Sequence, residues 1–299
     1  MPGKGKGNNR MGGADLHTHT TFSDGVLTPS ELVSAAKAAG LSAVAITDHD
    51  SIDGVPEGLE AGRRLGIEVV PGVEISALSG REEIHLLGYF VDIENEELQS
   101  FLGRTRIARR ERAEKMLARL AQLGLAVKWE RVVELAGEEG SIGRPHVATS
   151  LLEAGLISSW AEAFDRWIGR GCPAYVERYK LTPEEAITLV RASGGLPVLA
   201  HPYIYNRKGE RKKDLDLKHW LPRLVEAGLA GIEVYYPNYP RRVSRSLLEL
   251  ALRYGLMISG GSDFHGGPMT NGLGSVDVPW AAWEGLERRH RLSPAARVI

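Results

Sequence analysis

The sequence predicts an α/β protein whose strands close into a barrel, with an all-helical subdomain inserted near the middle of the chain. Short apolar runs of the buried-strand type alternate with helical patterns along most of the 299 residues. Polar residues follow the carboxyl ends of these runs, which is where the active site of an α/β barrel lies. Between residues 95 and 171 the alternation stops and only helical patterns remain.

The first part of the chain supplies the strands and helices of one half of the barrel. A capping box at residues 28–31 (TPSE), with proline at the first helical position, predicts a helix that ends at Gly40. The mostly apolar run that follows is typical of a strand buried on both faces. Further elements are predicted as a helix at residues 56–65 and strands at residues 41–47, 67–73 and 84–90.

The middle of the chain is predicted to form helices at residues 96–123, 130–136, 144–154 and 159–168. Alternation resumes with a second capping box at residues 182–185 (TPEE), followed by strands at 196–200, 231–235 and 256–261. We therefore expect a barrel domain over residues 14–94 and 172–299 and a helical subdomain over residues 95–171. The Gly-rich, basic residues 1–13 are expected to be a disordered tail.

Composition excludes several classes of protein. The formal net charge is −1, so bulk electrostatics does not favour a polyanion as partner. With Cys172 as the one cysteine, neither an internal disulfide nor a thiolate metal cluster can form. No apolar run approaches the ~20 residues that span a bilayer. We expect a cytoplasmic protein that has no membrane association and no obligate protein partner.

A metal site is indicated by histidines and acids that stand beside the apolar runs. His17 and His19 are two residues apart in an extended segment, so their imidazoles point the same way and can share one ion. Alone, His85 fits a structural hydrogen bond equally well, and Asp24 before Gly25 fits a turn. Their candidacy depends on the whole set, which we predict to be both metal ligands and catalytic residues: His17, His19, Asp24, His49, Glu74, His85, His201, Asp263 and His265.

Six imidazoles and three carboxylates are too many ligands for one ion and suit three. Mixed nitrogen and oxygen ligation favours manganese, iron or zinc over calcium or magnesium, which prefer oxygen. Three divalent ions would leave an excess of positive charge over the three acids. Such a site attracts an anionic group. Asp15 and Asp48, close in sequence to these histidines, are candidates for orienting them.

The motifs around these residues resemble the PHP (polymerase and histidinol phosphatase) family of phosphoesterases. The similarity covers most of the chain, from Asp15 to about Gly266, and is carried by DLHTH, ITDHD, PGVE, IHLLG, LAHP and GSDFH. It implies a distorted (β/α)7 TIM-like barrel with a trinuclear metal site, manganese being favoured over iron or zinc. The implied ligand sets are His17, His19, Glu74 and Asp263 for one ion; Glu74, His85 and His201 for a second; and Asp24, His49 and His265 for a third.

The helical insertion narrows the resemblance to a subgroup that removes the 3′-phosphate from 3′,5′-nucleotide bisphosphates such as phosphoadenosine phosphate. An Arg-Pro-His motif in that insertion implies that Arg144 and His146 bind substrate. An arginine fork suits a bidentate grip on phosphate. Lys180 is a weaker candidate for the same role. The predicted partner is a small nucleotide, and small nucleoside monophosphates are also expected as substrates.

Alternative functions stay open at this point. The first is 5′-to-3′ exonuclease activity on short RNA or DNA oligonucleotides, for which a basic run between Arg104 and Lys115 could follow a phosphate backbone. Interleaved glutamates favour a solvated helix face instead. A further alternative, histidinol phosphate hydrolysis, is disfavoured because the helical insertion would have no role in it. A non-catalytic metal-stabilised module would not need all nine ligands.

Overall fold

The structure is a computed structural model, and it describes residues 13–80, 82–137, 140–206, 208–267 and 271–292. Residues 1–12 of the predicted tail lie outside that part of the chain. The strands are β1 (Ala14–Asp15), β2 (Ala43–Ile46), β3 (Glu68–Ser79), β4 (Glu82–Tyr89), β5 (Leu196–Leu199), β6 (Tyr203–Tyr205), β7 (Arg211–Asp214), β8 (Gly231–Tyr235) and β9 (Met257–Gly260).

The helices follow the predicted positions closely. Both capping boxes form, with Thr28 and Thr182 as N-caps that accept from the backbone of Glu31 and Glu185. The helices are α1 (Pro29–Ala38), α2 (Val55–Leu65), α3 (Glu96–Gln122), α4 (Trp129–Ala136), α5 (Arg144–Glu153), α6 (Trp160–Glu162), α7 (Pro183–Ala192), α8 (Leu217–Ala227), α9 (Arg241–Tyr254) and α10 (Trp280–Arg291); a π-helical turn, Ala163–Ile168, follows α6.

Seven strands form one curved sheet in the order β1-β2-β3-β4-β5-β8-β9. The two outer strands approach each other, because the amide of Leu16 donates to the carbonyl of Gly260 at 3.2 Å and that of His19 to Phe264 at 2.8 Å. These bonds nearly close the sheet into a barrel, which confirms the predicted fold class. The sheet is distorted because β4 runs antiparallel to both its neighbours, β3 and β5, while the other pairs are parallel.

The direction of β4 accounts for the position of His85. In the sequence His85 lies near the start of its predicted strand, whereas the other candidate ligands were placed beyond strand ends; for Glu74 that placement was wrong, since β3 continues to Ser79 and contains it. Since β4 is antiparallel, its first residues lie at the same rim as the last residues of the parallel strands. His85 therefore reaches the rim that carries Glu74, and Ser76 of β3 is its register partner.

The helical segment between β4 and α7 has a hydrophobic cluster of its own. Met116, Leu120, Val132 and Leu151 are buried together there, apart from the cluster that lies between the barrel and its helices. Ala174 also packs in this cluster, three residues beyond the predicted end of the subdomain. The division of the chain into a barrel and a helical subdomain remains our proposal. None of the described helices has the length and apolarity that a bilayer-spanning segment requires.

Candidate metal centre

Glu74 is the centre of the cluster at the carboxyl-end rim of the barrel. Its carboxylate is fully buried. Oε2 lies 3.3 Å from Nε2 of His17, 3.3 Å from Nε2 of His19 and 2.9 Å from Nδ1 of His49. Oε1 lies 2.8 Å from Nδ1 of His85 and 2.9 Å from Nε2 of His201. One carboxylate thus contacts five imidazoles that come from four segments of the chain around the rim.

The remaining candidate ligands extend the cluster on the side of β9. Oδ1 of Asp263 lies 3.4 Å from Nε2 of His17 and 3.1 Å from Nε2 of His19. Nε2 of His265 lies 3.3 Å from Oδ1 of Asp24. The structure therefore brings all nine predicted side chains together at one rim. How they divide into three ligand sets stays a prediction.

The spacing of the donor atoms suits metal ions. Four groups have ligand atoms within 4.8 Å of one another: His19, Asp24, His49 and His265; His17, His201 and Asp263; His17, His19 and Glu74; and His49, Glu74 and His85. Around a tetrahedral ion with bonds of ~2.0–2.2 Å the ligand atoms lie roughly 3.4 Å apart. The contacts of Glu74 and Asp263 with the first two histidines fall close to that separation.

Buried polar atoms without hydrogen-bond partners also indicate that the cluster binds cations. Among the described residues, five atoms of the cluster are buried without a hydrogen-bond partner: Nε2 of His17, Oδ1 of Asp24, Nδ1 of His49, Oε2 of Glu74 and Nδ1 of His201. Buried polar atoms are seldom left unsatisfied, because the desolvation cost is not recovered. Imidazole nitrogens and carboxylate oxygens are ligands for manganese, iron and zinc. The residues present therefore fit divalent ions.

Glu233 on β8 contacts two of the histidines, a role that was not predicted from the sequence. Its Oε1 lies 3.1 Å from Nδ1 of His17, and its Oε2 accepts from the backbone amide of His201 at 2.7 Å. When Nδ1 of His17 carries its proton toward Glu233, Nε2 presents its lone pair to the cluster. The available signal was a single acid within the buried run Gly231–Tyr235.

Asp48 and Asp15 hold the loops that carry ligands rather than the imidazole rings. Asp48 accepts from the amide of Thr20 at 2.7 Å and from the hydroxyl of Ser23 at 2.5 Å. Asp15 accepts from the amide and the hydroxyl of Ser262 at 2.8 and 2.6 Å. Both carboxylates thus fix backbone that directly precedes or follows a candidate ligand.

The backbone comes unusually close at Gly261. A Cβ on this residue would lie 2.4 Å from the backbone nitrogen of His17 and 2.5 Å from its Cβ. No side chain larger than hydrogen fits there unless β1 moves. This contact brings the end of β9, and with it Asp263, against the strand that carries His17.

The imidazoles fall into two groups, one whose pKa is raised and one whose pKa is lowered. Burial opposes charge on His17 and His265, but facing carboxylates outweigh it: Glu233 and Glu74 raise the pKa of His17, and Asp24 and Asp263 raise that of His265 to about 10. Burial instead lowers the pKa of His19 to about 3, and the charges of His265 and His49 act in the same direction. Burial also lowers the pKa of His201 to about 4.

The carboxylates stay ionised despite their burial. Burial would raise the pKa of Glu74, but the charges of His49, His17 and His85 hold it well below the usual range. Neighbouring histidines lower the pKa of Asp24 and Asp263 in the same way, against the same penalty. Without cations the cluster thus retains protons on some imidazoles, and a metal ion that binds there displaces them.

The insertion places Arg144 and His146 at the start of α5, beside Asp24. A Cβ at Gly143 would lie 3.9 Å from Oδ2 of Asp24, so this helix start borders the cluster. Arg144 is half-buried, with its guanidinium over the rings of Phe164 and Tyr175 at 5.7 and 5.8 Å. Nδ1 of His146 accepts from the amide of Gly143 at 3.0 Å, which leaves Nε2 as the protonated nitrogen of the neutral ring.

Lys180 is buried and paired. Its ammonium lies 2.7 Å from Oε1 of Glu83, and the same carboxylate oxygen lies 3.3 Å from Nε2 of His85. Burial lowers the pKa of Lys180 to about 8. The structure therefore does not place its ammonium freely on the surface; Lys180 acts on Glu83 and, through it, on the orientation of His85.

A further residue at the rim is Tyr236, which follows β8. Its hydroxyl donates to Oδ2 of Asp263 at 2.6 Å, and its ring lies 5.3 Å from that of His201. Tyr236 thus holds a candidate ligand in position, a contact that could not be predicted from the sequence.

Comparison with known proteins agrees with this geometry. The family model described as PHP domain matches residues 15–154. The 5′-3′ exoribonuclease Rnm of Salmonella typhimurium is 36% identical over 284 residues, which cover 90% of this chain and 93% of that protein. The chain belongs to the PHP family.

Two other similar proteins support the same family. A 3′,5′-nucleoside bisphosphate phosphatase of Chromobacterium violaceum is 33% identical over 257 residues, covering 85% of this chain and 88% of that protein. A crystal structure from Bifidobacterium adolescentis, assigned as a metal-dependent phosphoesterase, has a TM-score of 0.83 at 34% identity and covers 93% of this chain and 96% of its own. This PHP protein is a metal-dependent hydrolase that acts on phosphoester bonds.

Proposed function

We propose that the protein removes the 3′-phosphate from 3′,5′-nucleotide bisphosphates of the phosphoadenosine phosphate type, and hydrolyses small nucleoside monophosphates. Three divalent ions, manganese in preference to iron or zinc, would be held by the nine clustered side chains. The observation that carries this proposal is the start of α5, where Arg144 and His146 border the cluster beside Asp24. A relative named as a bisphosphate phosphatase supports the choice of substrate.

The roles of the protein's own residues follow from their contacts. Divalent ions, when bound, would neutralise charge on the phosphoryl oxygens and lower the pKa of a coordinated water. Arg144 offers a planar fork to a phosphate. Burial keeps the pKa of His146 below its ordinary value, so its ring stays neutral and Nε2–H still donates a hydrogen bond to a phosphate oxygen. Glu233 and Tyr236 keep His17 and Asp263 in place.

A second candidate is 5′-to-3′ exonuclease activity on short oligonucleotides. It is favoured by the name of the Salmonella relative. The basic run on α3 gives it little support, because three of its four exposed members are paired with acids: Arg106 with Asp53, Arg110 with Glu114 and Lys115 with Glu111. The phosphates of an RNA strand would have to displace these carboxylates from the basic side chains of α3.

A substrate screen separates the candidates. Release of inorganic phosphate would be measured with manganese present from adenosine 3′,5′-bisphosphate, nucleoside monophosphates and histidinol phosphate. Short 5′-phosphorylated RNA would be examined for release of mononucleotides. We expect the highest kcat/KM with the bisphosphate and no turnover by His17→Ala. A higher kcat/KM with RNA would favour the exonuclease, and near-normal activity of His17→Ala would contradict the metal assignment.

Arg144→Ala tests the substrate contact. We expect KM for adenosine 3′,5′-bisphosphate to rise about 10–100-fold, since a charge-assisted hydrogen bond is lost. KM for p-nitrophenyl phosphate, which lacks a nucleotide, should change far less. Equal effects on both substrates would remove Arg144 from substrate binding.

A further inference from the structure

The hairpin formed by β6 and β7 begins two residues after the candidate ligand His201. Its strands pair antiparallel, with Ile204 opposite Lys213. The amide of Leu215, at the end of the hairpin, donates to the carbonyl of Pro202 at 3.0 Å. Both ends of the hairpin are therefore fixed beside His201, although neither strand supplies any of the nine candidate ligands.

The loop after β8 holds this hairpin in place. The hydroxyl of Tyr239 accepts from the amide of Tyr203 at 3.2 Å and donates to its carbonyl at 2.8 Å. In the same loop, the hydroxyl of Tyr236 donates to Asp263 of the metal centre at 2.6 Å. The hairpin is thus attached to a loop that itself contacts a candidate ligand, so its side chains have a defined position relative to the rim.

Lys213 is the residue of β7 that is turned away from solvent. The other three residues of the strand, Arg211, Lys212 and Asp214, are exposed, whereas Lys213 is half-buried. Lys212 pairs with Glu210 at 3.2 Å. Among the described residues, the ammonium of Lys213 has neither a hydrogen bond nor an ion pair. It is therefore a partly desolvated cation with no partner in the described part of the chain.

The charge of Lys213 acts on the metal centre. Burial is the main cause of the low pKa of His201, and the charge of Lys213 acts in the same direction. Burial also lowers the pKa of Lys213, while the carboxylates of Glu74, Glu83 and Asp263 are among the charges that oppose this effect and favour the ammonium form. The ammonium therefore lies within electrostatic reach of carboxylates that are candidate metal ligands.

An anion is the partner that this cation lacks. Glu74 and Asp263 are candidate ligands, so bound ions would compensate the negative charge that otherwise balances the ammonium. An anionic ligand would then offset the cost of its burial. A lysine ammonium binds phosphoryl oxygens as a point charge. The start of α5 borders Asp24, so Lys213 approaches the centre from another part of the rim, beside His201.

We propose that Lys213 binds an oxygen of the phosphoryl group that is hydrolysed at the metal centre. The inference rests on the phosphoester hydrolysis of the proposed function, but not on the nucleotide or on the position of its phosphate. Every phosphomonoester carries this group, and so does the phosphate product. Lys213 would therefore contribute to all substrates alike, and its charge would stabilise the phosphoryl oxygens as the bond to the leaving oxygen breaks.

The first test measures binding of inorganic phosphate. Its affinity for the manganese-loaded protein would be determined by calorimetry for the wild-type protein and for three variants. We expect Lys213→Met to bind phosphate about 10–100-fold more weakly, since a charge-assisted contact is lost, and Lys213→Arg to recover part of the affinity. Lys212→Met removes the same charge from the neighbouring exposed residue and should bind like the wild type. Equal affinity of Lys213→Met and the wild type would overturn the proposal.

The second test measures manganese affinity in the absence of phosphate. Lys213→Met removes a positive charge that acts on Glu74 and Asp263, so manganese affinity should stay equal or rise. A structural role of Lys213 predicts the opposite, because a displaced hairpin would loosen His201 and weaken the site. A loss of manganese affinity equal to the loss of phosphate affinity would therefore overturn the proposal.

Turnover separates this inference from the choice of substrate. We expect kcat/KM of Lys213→Met to fall about 10–100-fold for adenosine 3′,5′-bisphosphate and for p-nitrophenyl phosphate alike. A loss confined to the bisphosphate would overturn the inference, because the contact would then be with the nucleotide. If the wild type does not hydrolyse the bisphosphate, while turnover of p-nitrophenyl phosphate still depends on Lys213, the proposed function falls and the inference stands. If Lys213→Met does not fold, Lys213→Gln replaces it in all three measurements.

Discussion

Single residues at the rim show what the sequence could and could not predict. The nine candidate ligands were predictable because each follows or begins a recognisable apolar run. Glu233 was not, because a lone acid within a strand does not show which group it faces. The substrate contact of Lys180 stays a prediction; its ion pair with Glu83 could not be predicted, because the two residues lie almost a hundred positions apart in the chain.

Glu233→Gln tests the orientation of His17. The neutral amide accepts a weaker hydrogen bond from Nδ1, and its NH2 group can point the wrong way. We expect manganese affinity to fall about 10–100-fold while the fold is retained. Titration of the metal-free protein with manganese measures this, with the exposed Glu226→Gln as control. Unchanged affinity would show that Glu233 does not tune the site.

Metal affinity should depend on pH. The pKa of His265 is about 10 in the protein without metal, because Asp24 and Asp263 outweigh the effect of burial. This imidazole therefore carries a proton at neutral pH, and a cation must displace it. Affinity should fall as pH falls from 8 to 6, by about tenfold per unit for each displaced proton. Calorimetry in buffers of different ionisation enthalpy counts these protons, and binding without proton release would contradict the assignment.

The elements were predicted more completely than the contacts between them. Capping boxes at Thr28 and Thr182 fixed where two helices begin, because such boxes are local in sequence. The reversed direction of β4 was not predicted, because the strands were expected to end at residue 73 and to begin again at residue 84, whereas β3 continues to Ser79 and β4 begins at Glu82. That reversal decides whether His85 reaches the rim. In the structure Ser79 pairs with Glu82, so β3 and β4 form a hairpin whose two-residue connection makes the pair antiparallel.

Gly261→Ala tests the closure between β9 and β1. The added Cβ would clash with the backbone of His17, so one strand end must shift. We expect the free energy of unfolding to fall by about 1–3 kcal/mol and manganese affinity to fall with it. Gly103→Ala is the matched control, since nothing lies within 4 Å of its Cβ position on α3, and it should stabilise by roughly 0.5–1 kcal/mol. Normal metal binding by Gly261→Ala would show that the rim tolerates the displacement.

The whole molecule combines a barrel with a helical segment that has its own hydrophobic cluster. The presence of that segment was evident from the sequence, because alternation stops at residue 95 and resumes after residue 171. The burial of charged side chains on the inner face of that segment was not evident from the sequence. Residues of the basic run on α3 look alike in sequence, yet Arg109 and Arg112 are buried while Arg104, Arg106 and Arg110 are exposed. They differ in the face of α3 on which they lie, since the buried face also carries Thr105 and Met116.

Manganese should stabilise the whole protein. Ions that bind the folded cluster and not the unfolded chain add about 2.7 kcal/mol per site at a hundredfold excess over Kd. At roughly 2–4 °C per kcal/mol, Tm should rise by at least about 5 °C relative to protein treated with a chelator. Differential scanning calorimetry measures this, and Glu74→Gln should lose most of the shift. An equal shift in that variant would place the stabilising ion elsewhere.

Asp50 also limits how the molecule can move. Asp50 directly follows His49, and its carboxylate forms buried ion pairs with Arg109 of α3 and with Arg178. These two ion pairs connect the helical segment to the rim of the barrel. A hinged swing of the helical segment away from the rim would have to break both. Binding and release at the metal centre would then have to take place without such a swing.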